Sequence, residues 1–405
     1  MSKTILLIGA FDVKAEEYDF VRRLIEGLGC RVLTMNSGVM GGTDLFDVDI
    51  DSGEVSEAGG GDLAELRRAN DRGAALNVMS RGAAVLAEEA YRAGRFDGVL
   101  AMGGSGGTGV GTAAMRALPI GVPKVMVSTL AASDTADFVG VKDITMIPSV
   151  VDVAGVNRIS EKIYKQAAGA ICGMVAMDYR PSAAQKPIIA ASMFGNTTPC
   201  VDHCRQALTA KGYEVLVFHS TGSGGRTMEG LVSEGHVAGV LDITTTEWAD
   251  EVCGGVFSAG DTRLDAPGKM GVPHLIVPGC VDMANFGGRE TVPERYADRR
   301  FFEWSPTVTL MRTDVAENAK MGEVFAQKAS AATGPVAFLL PRQGVSMLDK
   351  PGELFWWPEA DLAMFDAIRR HVRPDVDVVE IDCNINDEAF AEKAVEMLLA
   401  MMPKT

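Results

Sequence analysis

The chain lacks any apolar run approaching the roughly 18 residues that a helical membrane span requires. Its amino terminus, MSKTILLIGAFDVKAEEYDF, has a short apolar segment that meets Asp12 at once and carries no small-residue cleavage site, so it reads as a buried first strand. A membrane partner is therefore not expected, and the cytoplasm is the expected location. Basic charge is also scarce: 38 Lys and Arg against 54 Asp and Glu leave a net charge of −16. That balance argues against a general grip on nucleic acid, which needs clustered cations along the phosphate backbone. A small phosphate-bearing ligand stays open, because a local nest of backbone N–H groups with one or two cations suffices. Cysteine is an odd seven, scattered without a C-x-x-C pair, which argues against a disulfide framework. Cys200, His203 and Cys204 lack the further ligand pair of a zinc site, so buried thiols are the simpler reading and no metal ligand is assigned. A Walker A loop and a dinucleotide fingerprint are both missing.

What is present is the composition of a soluble folded protein, 47% hydrophobic and 23% charged over 405 residues. Such a length exceeds one ordinary core, so two domains are expected. Apolar runs of four to seven residues alternate with stretches of helical period, the pattern of βαβ units. Strands are expected at ILLIG, RVLTM, GVLAMG (98–103), KVMVS (124–128), PIIAASMF (187–194), EVLVF (214–218), GVLDIT (239–244), HLIVPG (274–279), VAFLLP (336–341) and VVEID (378–382). Most lack strict alternation, as strands covered on both faces do. Residues 5–37 also align with 188–220 at a single offset, and two further echoes follow in order, GVLAMG with GVLDIT and GVPKVMVS with GVPHLIVP. The expected fold is thus α/β: two doubly wound, mainly parallel-sheet domains that are related halves. The polar stretch DYRPSAAQKP (178–187) separates a nucleotide-binding domain, 1–183, from a second α/β domain, 184–405, with a substrate site of its own. Residues 51–63, DSGEVSEAGGGDL, read as a solvent loop.

The strongest local signal is Gly103-Gly104-Ser105-Gly106-Gly107-Thr108-Gly109, directly after a strand and before a helix. Glycines let backbone approach an anion closely, and free N–H groups at a helix start stabilise negative charge. A tight turn alone would need fewer glycines. A second glycine loop, residues 221–227, follows EVLVFHS and carries Arg226, a fork-shaped partner for phosphate or carboxylate. Ligands of open α/β sheets bind beyond the carboxyl ends of strands, where both loops fall. Other strand ends are polar too, including Asp12 and Lys14, Asn36 and Ser37, Ser128 and Thr129, and Thr244 to Glu247. Helix capping explains any one of them; together they form a polar rim. Among five histidines only His219 stands at a strand end beside a glycine loop, which makes it the general acid/base candidate, with Arg226 and Glu247 completing a catalytic set.

The ordered motifs GAFDVK (9–14), GGSGGTG (103–109), LPIGVPKVMVST (118–129), PSVVDVAGVNRIS (148–160), MFGNTTPCV (193–201), FHSTGSGGRTMEGLV (218–232), GVLDITTTEWAD (239–250) and VDMANFGG (281–288) carry a resemblance. Nearly end to end, the chain resembles the ATP-binding amino-terminal region of the tomato mosaic virus resistance protein family and its bacterial relatives. The resemblance implies two α/β subdomains, a homodimer, and ATP bound largely by the first half. It points to Asp12, Val13, Lys14, Arg72, Gly73 and the loop Gly103, Gly104, Ser105, Gly106, Gly107 and Thr108 as nucleotide contacts. Ser37, Ser128 and Thr129, at neighbouring strand ends, complete the expected cofactor set. ATP is the expected cofactor, with Mg as the ion its phosphates would bring and Asp12 positioning that ion or the ribose.

Three functional readings follow. In the first, ATP on the Gly103 loop serves an enzyme that acts on a small polar or phosphorylated metabolite at an inter-domain site. In the second, the protein is a non-catalytic nucleotide-responsive interaction module. In the third, the second half is a carboxylate enzyme and the first half keeps only a vestigial site.

Overall fold

The computed structural model describes residues 2–177 and 185–403. The chain divides into two compact units, Met1–Ser182 and Ala183–Thr405. Of the stretch expected to join the halves, residues 178–184 lie outside the described residues.

The first unit runs β1 (Thr4–Gly9), α1 (Ala15–Gly27), β2 (Arg31–Asn36), α2 (Ser52–Ala58), α3 (Leu63–Ala69), α4 (Arg72–Arg92), β3 (Gly98–Gly103), α5 (Ser105–Ala117), β4 (Lys124–Ser128), α6 (Ala136–Val139), β5 (Thr145–Pro148) and α7 (Ser160–Ala176). Its five strands pair in parallel in the order β2-β1-β3-β4-β5. Alternate residues of a strand point to opposite faces. Leu6, Ile8, Val99 and Ala101 accordingly pack against α4 and α5, while Ile5, Leu7, Leu100 and Met102 pack against α1 and α7. With both faces covered, the central strands are buried at every position, which is why they read as unbroken apolar runs.

The second unit contains β6 (Ile188–Met193), α8 (Thr198–Ala210), β7 (Glu214–His219), α9 (Ser223–Ser233), β8 (Gly239–Thr244), α10 (Glu247–Cys253), α11 (Ala266–Met270), β9 (His274–Gly279), β10 (Met283–Phe286), β11 (Phe301–Ser305), β12 (Val308–Arg312), α12 (Val315–Ala331), β13 (Val336–Pro341), α13 (Pro358–His371), β14 (Asp377–Ile381) and α14 (Glu388–Met401). Its parallel sheet has the order β14-β13-β9-β8-β6-β7. From β7 to β13 this repeats the first sheet strand for strand, and β14 extends it. The two units are related halves, two parallel α/β domains. A separate antiparallel sheet, β10-β12-β11, is inserted in the second.

Several elements differ from expectation. The stretch 51–63 is not a plain loop: Asp51 accepts from the N–H groups of Gly53 and Glu54, Glu54 returns a bond to the Asp51 N–H, and this capping box starts α2. Gly59 and Gly82 then let α2 and α4 touch backbone to backbone, since a Cβ on Gly82 would fall 1.7 Å from the Val55 carbonyl oxygen. The edge strand β5 and the hairpin β11-β12 have no unbroken apolar run to announce them. His274 opens β9, where the run HLIVPG predicts a strand, but it is buried beside Asp242 and not left at the surface. Among the described residues no helix is long and apolar enough to cross a membrane.

Candidate functional site

In a 2-1-3-4-5 sheet the chain leaves β1 and β3 in opposite directions, and a crevice opens between their carboxyl ends. Tyr18, on the first turn of α1, reaches into that fork. Its hydroxyl lies 2.7 Å from the Ile8 carbonyl and 2.6 Å from the Met102 carbonyl, and it accepts from the Met102 N–H at 2.8 Å. Burial pushes the phenol well above its ordinary range, so it stays a neutral strut between the diverging strands.

Beyond this strut lies a cavity of about 330 Å³. Val13 and Lys14, after β1, form one wall, and Gly104, Ser105, Gly106 and Gly107, at the start of α5, form another. Ser37 from the end of β2 and Arg72 from the first turn of α4 close it, with Asp152 from the segment after β5. Gly104 has no side chain with which to cap α5, and the opening N–H groups of a helix have no partner within it. Gly103 and Gly107 are required by contact: a Cβ on Gly103 would sit 2.9 Å from the Gly107 Cα. Lys14 bonds the Val153 carbonyl through Nζ, whereas the Arg72 guanidinium has no hydrogen-bond or ion-pair partner among the described residues.

A second hollow of about 390 Å³ shares Val13, Ser37, Arg72 and Leu76 with the first; Val39, Met40, Leu66 and Met79 give it an apolar side, and Arg67, Asn70 and Asp71 a polar one. Asp12 borders it, with Oδ2 accepting from the Met40 N–H at 2.8 Å and a buried Oδ1 that has no partner. The fold thus brings together most of the residues expected to hold a nucleotide. Thr108 does not face the cavity; its buried hydroxyl bonds that of Ser128 at 2.7 Å and ties α5 to the end of β4. Ser128 and Thr129 line a separate hollow. Gly73 sits in the first turn of α4 and Gly103 ends β3, and neither lines either cavity. Asp152 was missed, although it lies within the PSVVDVAGV motif, because an aspartate is not a phosphate ligand by type.

The second glycine loop is built differently. It follows β7, an edge strand, so its counterpart in the first unit is the turn after β2 and not the Gly103 loop. The N–H groups of Gly222 and Gly225 donate to Glu247 Oε1 at 2.9 and 3.0 Å, so an internal carboxylate already sits where an anion would. Glu247 Oε2 in turn accepts from Arg263 Nε at 2.6 Å, and the same guanidinium grips both oxygens of Asp242 at 2.6 Å. Burial, together with the nearby Asp242 charge, leaves Glu247 above the ordinary carboxylate range despite Arg263. Burial opposes the charge of Asp242 as well, but the two-pronged grip of Arg263 and a bond from His274 hold that carboxylate well below it. Arg226 is exposed and donates to the Ser258 carbonyl. His219, whose imidazole is lowered by burial, packs 5.4 Å from the Phe194 ring. Among the described residues no hydrogen bond joins His219, Arg226 and Glu247, and the third is fixed in a structural ion cluster.

Elsewhere, Cys200 and Cys204 are buried on α8, while His203 turns outward toward Glu388, 3.9 Å away, and Glu392 on α14.

The fold and the cavity define a parallel α/β protein of two related domains with a glycine-lined crevice at the switch point of the first. By sequence the chain belongs to the UPF0261 family: residues 3–180 match the Uncharacterised protein family (UPF0261) N-terminal domain and residues 186–402 its C-terminal domain. It is 45% identical to a UPF0261 protein of Clostridium tetani over 405 residues, 100% of both chains. A UPF0261 protein of Rhizobium meliloti is 44% identical over 97% of this chain and 98% of its own. The ToMV resistance protein Tm-1(GCR237) of Solanum lycopersicum is 40% identical over 83% of this chain, which corresponds to 46% of that longer protein. Among solved structures, a UDP-N-acetylglucosamine 2-epimerase from Rickettsia bellii aligns with 10% identity over 68% of this chain and 78% of its own. Its TM-score of 0.23 is too low to carry an argument.

Proposed function

We propose that the first unit is an ATP-binding domain, with the triphosphate in the glycine-lined cavity and the nucleoside in the adjoining hollow. The observation that carries this reading is the convergence of open helix N–H groups at Ser105, Gly106 and Gly107 with Lys14 and Arg72 at a switch-point crevice. The apolar walls of Val39, Leu66, Leu76 and Met79 suit an adenine ring, and the unpartnered Asp12 Oδ1 suits a ribose hydroxyl. The motif resemblance to the ATP-binding region favours ATP over other phosphate esters. In this reading the protein is a cytoplasmic, homodimeric nucleotide-responsive module. The engagement of Glu247 with the Gly222 loop and Arg263 favours the module over an enzyme built on His219 and Arg226.

Calorimetric titration with ATP tests it, alongside Gly106→Asp. A Cβ on Gly106 would lie 3.5 Å from Arg72 Nη2, so the new carboxylate would neutralise that cation and face the phosphates. Two like charges about 4 Å apart at a protein surface repel by roughly 4 kcal/mol before screening, so the variant should bind at least about a hundredfold more weakly. Equal affinities, or no heat with the native chain, would remove the proposal. Steady release of ADP would instead return the enzyme reading.

A further inference from the structure

Among the described residues, Asp152 is the one member of the cavity wall whose charge opposes the ligand proposed above. It extends from the exposed segment after β5, and its carboxylate has no hydrogen-bond or ion-pair partner among the described residues. The backbone nevertheless goes to some expense to hold it there. Val150 has a φ of +65°, a region that a β-branched residue rarely enters. The Val151 N–H donates to the Ser149 carbonyl at 2.7 Å, closing a tight three-residue turn around Val150 of the strained kind.

Both flanks of this turn are pinned. On one side the Ser149 N–H donates to the Ser128 carbonyl at 3.0 Å, and the Ser149 hydroxyl donates to the Val151 carbonyl at 2.6 Å. On the other, Val153 is fully buried, its carbonyl bonds Lys14, and the Gly155 N–H donates to Glu17 Oε1. Asp152 thus lines the same cavity as Lys14 and the helix start that offers N–H groups, and it also borders the hollow that contains Ser128, Thr129 and Ser149.

A carboxylate that shares a cavity with phosphate oxygens weakens their binding unless a cation lies between them. We infer that Asp152 holds a divalent cation, magnesium by its preference for oxygen ligands, that bridges this carboxylate to the phosphates of the bound nucleotide. Magnesium is commonly held in this way, by one or two carboxylates together with substrate phosphates and water, without a complete protein cage. Asp12, the aspartate expected for this role from sequence, borders the adjoining hollow, and one of its oxygens accepts from the Met40 N–H. The inference rests on the nucleotide reading of the same cavity.

The test is the metal dependence of ATP affinity, measured by calorimetry on the full chain in excess magnesium chloride and again in excess EDTA. The native chain should prefer the magnesium complex by roughly tenfold or more, since loss of even an outer partner of a metal ligand costs about that much. Asp152→Asn should bring the two affinities together, and Asp152→Glu should restore part of the gap. Asp12→Asn should weaken both titrations alike and keep their ratio. With manganese as a paramagnetic probe, the native chain should enhance water proton relaxation in the presence of ATP, and Asp152→Asn should not. Equal affinity of the native chain in both buffers, or a metal preference unchanged in Asp152→Asn, overturns the assignment while leaving ATP binding intact. Absence of ATP binding in either buffer overturns the nucleotide reading and the role of Asp152 with it.

Discussion

Replacing Arg263 by methionine isolates the ion cluster that fills the second glycine loop. Arg263 is 1% exposed and, among the described residues, is the one arginine or lysine in direct contact with Asp242 and Glu247, both carboxylates being equally buried. Methionine keeps most of the volume and removes the charge. Breaking a buried ion pair from one side costs about 3–5 kcal/mol. Here there is also a ceiling, because an abandoned carboxylate can take up a proton. With an ordinary value near 4, doing so at about pH 7 costs roughly 4 kcal/mol, and at about pH 5 only about 1.4 kcal/mol. In the native chain Asp242 is held low, so its contribution is present above the unfolded carboxylate range and is lost only in strong acid. In the variant its value rises instead, and the deficit grows with pH. We therefore expect a loss of about 4 kcal/mol at about pH 7 that shrinks to roughly half or less at about pH 5. All four tryptophans, Trp248, Trp304, Trp356 and Trp357, belong to the second unit, so urea unfolding followed by tryptophan emission reports this unit alone. A loss below about 1 kcal/mol, or one that is the same at both pH values, would refute the reasoning.

Three further outcomes can be checked independently. Tyr18→Phe leaves the Met102 N–H without its acceptor and two carbonyls without their shared donor, and should destabilise the first unit by about 2 kcal/mol in thermal melts; an unchanged melting temperature would show that water replaces the hydroxyl. Gly82→Ala drives a Cβ into the Val55 carbonyl and should cost about 2 kcal/mol or more, with faster amide exchange across α2; unaltered exchange there would count against the close crossing. Burial pushes Asp250 up to about 7, so folding favours its neutral form, and the stability gained below the unfolded carboxylate range is lost as pH rises through about 7. Asp250→Asn should remove that loss, amounting to no more than about 4 kcal/mol, and gain on the native chain with rising pH; parallel curves in denaturant titrations would contradict it.

The parallel strands and their doubled plan were legible because strands covered on both faces, such as Leu6 to Ile8 and Val99 to Met102, must be apolar at every position. The glycine turn before α5 was legible for a similarly local reason: the Gly103 and Gly107 backbones come too close for a side chain on Gly103. The hairpin of β11 and β12 was not, since its pairing with β10 is long-range, β11 has no buried residue, and β12 buries the polar Thr309 and Arg312 along with Leu310 and Met311. The capping box at Asp51 was written in the sequence, but the glycines of the same stretch signalled a turn more strongly.

For the candidate site, the division falls between residue type and direction. Local sequence determined which strand ends carry glycine, lysine, aspartate and threonine, because turn geometry and helix capping are settled over a few residues. Only the tertiary structure decided which of them share a cavity. Two loops with nearly the same glycine pattern end in opposite conditions, one opening on a crevice with Lys14 and Arg72, the other closed by Glu247 from 22 residues further along the chain than Gly225. Whether an N–H group meets a ligand or an internal carboxylate depends on what the rest of the fold brings to it, and that is fixed by the order of strands in the sheet.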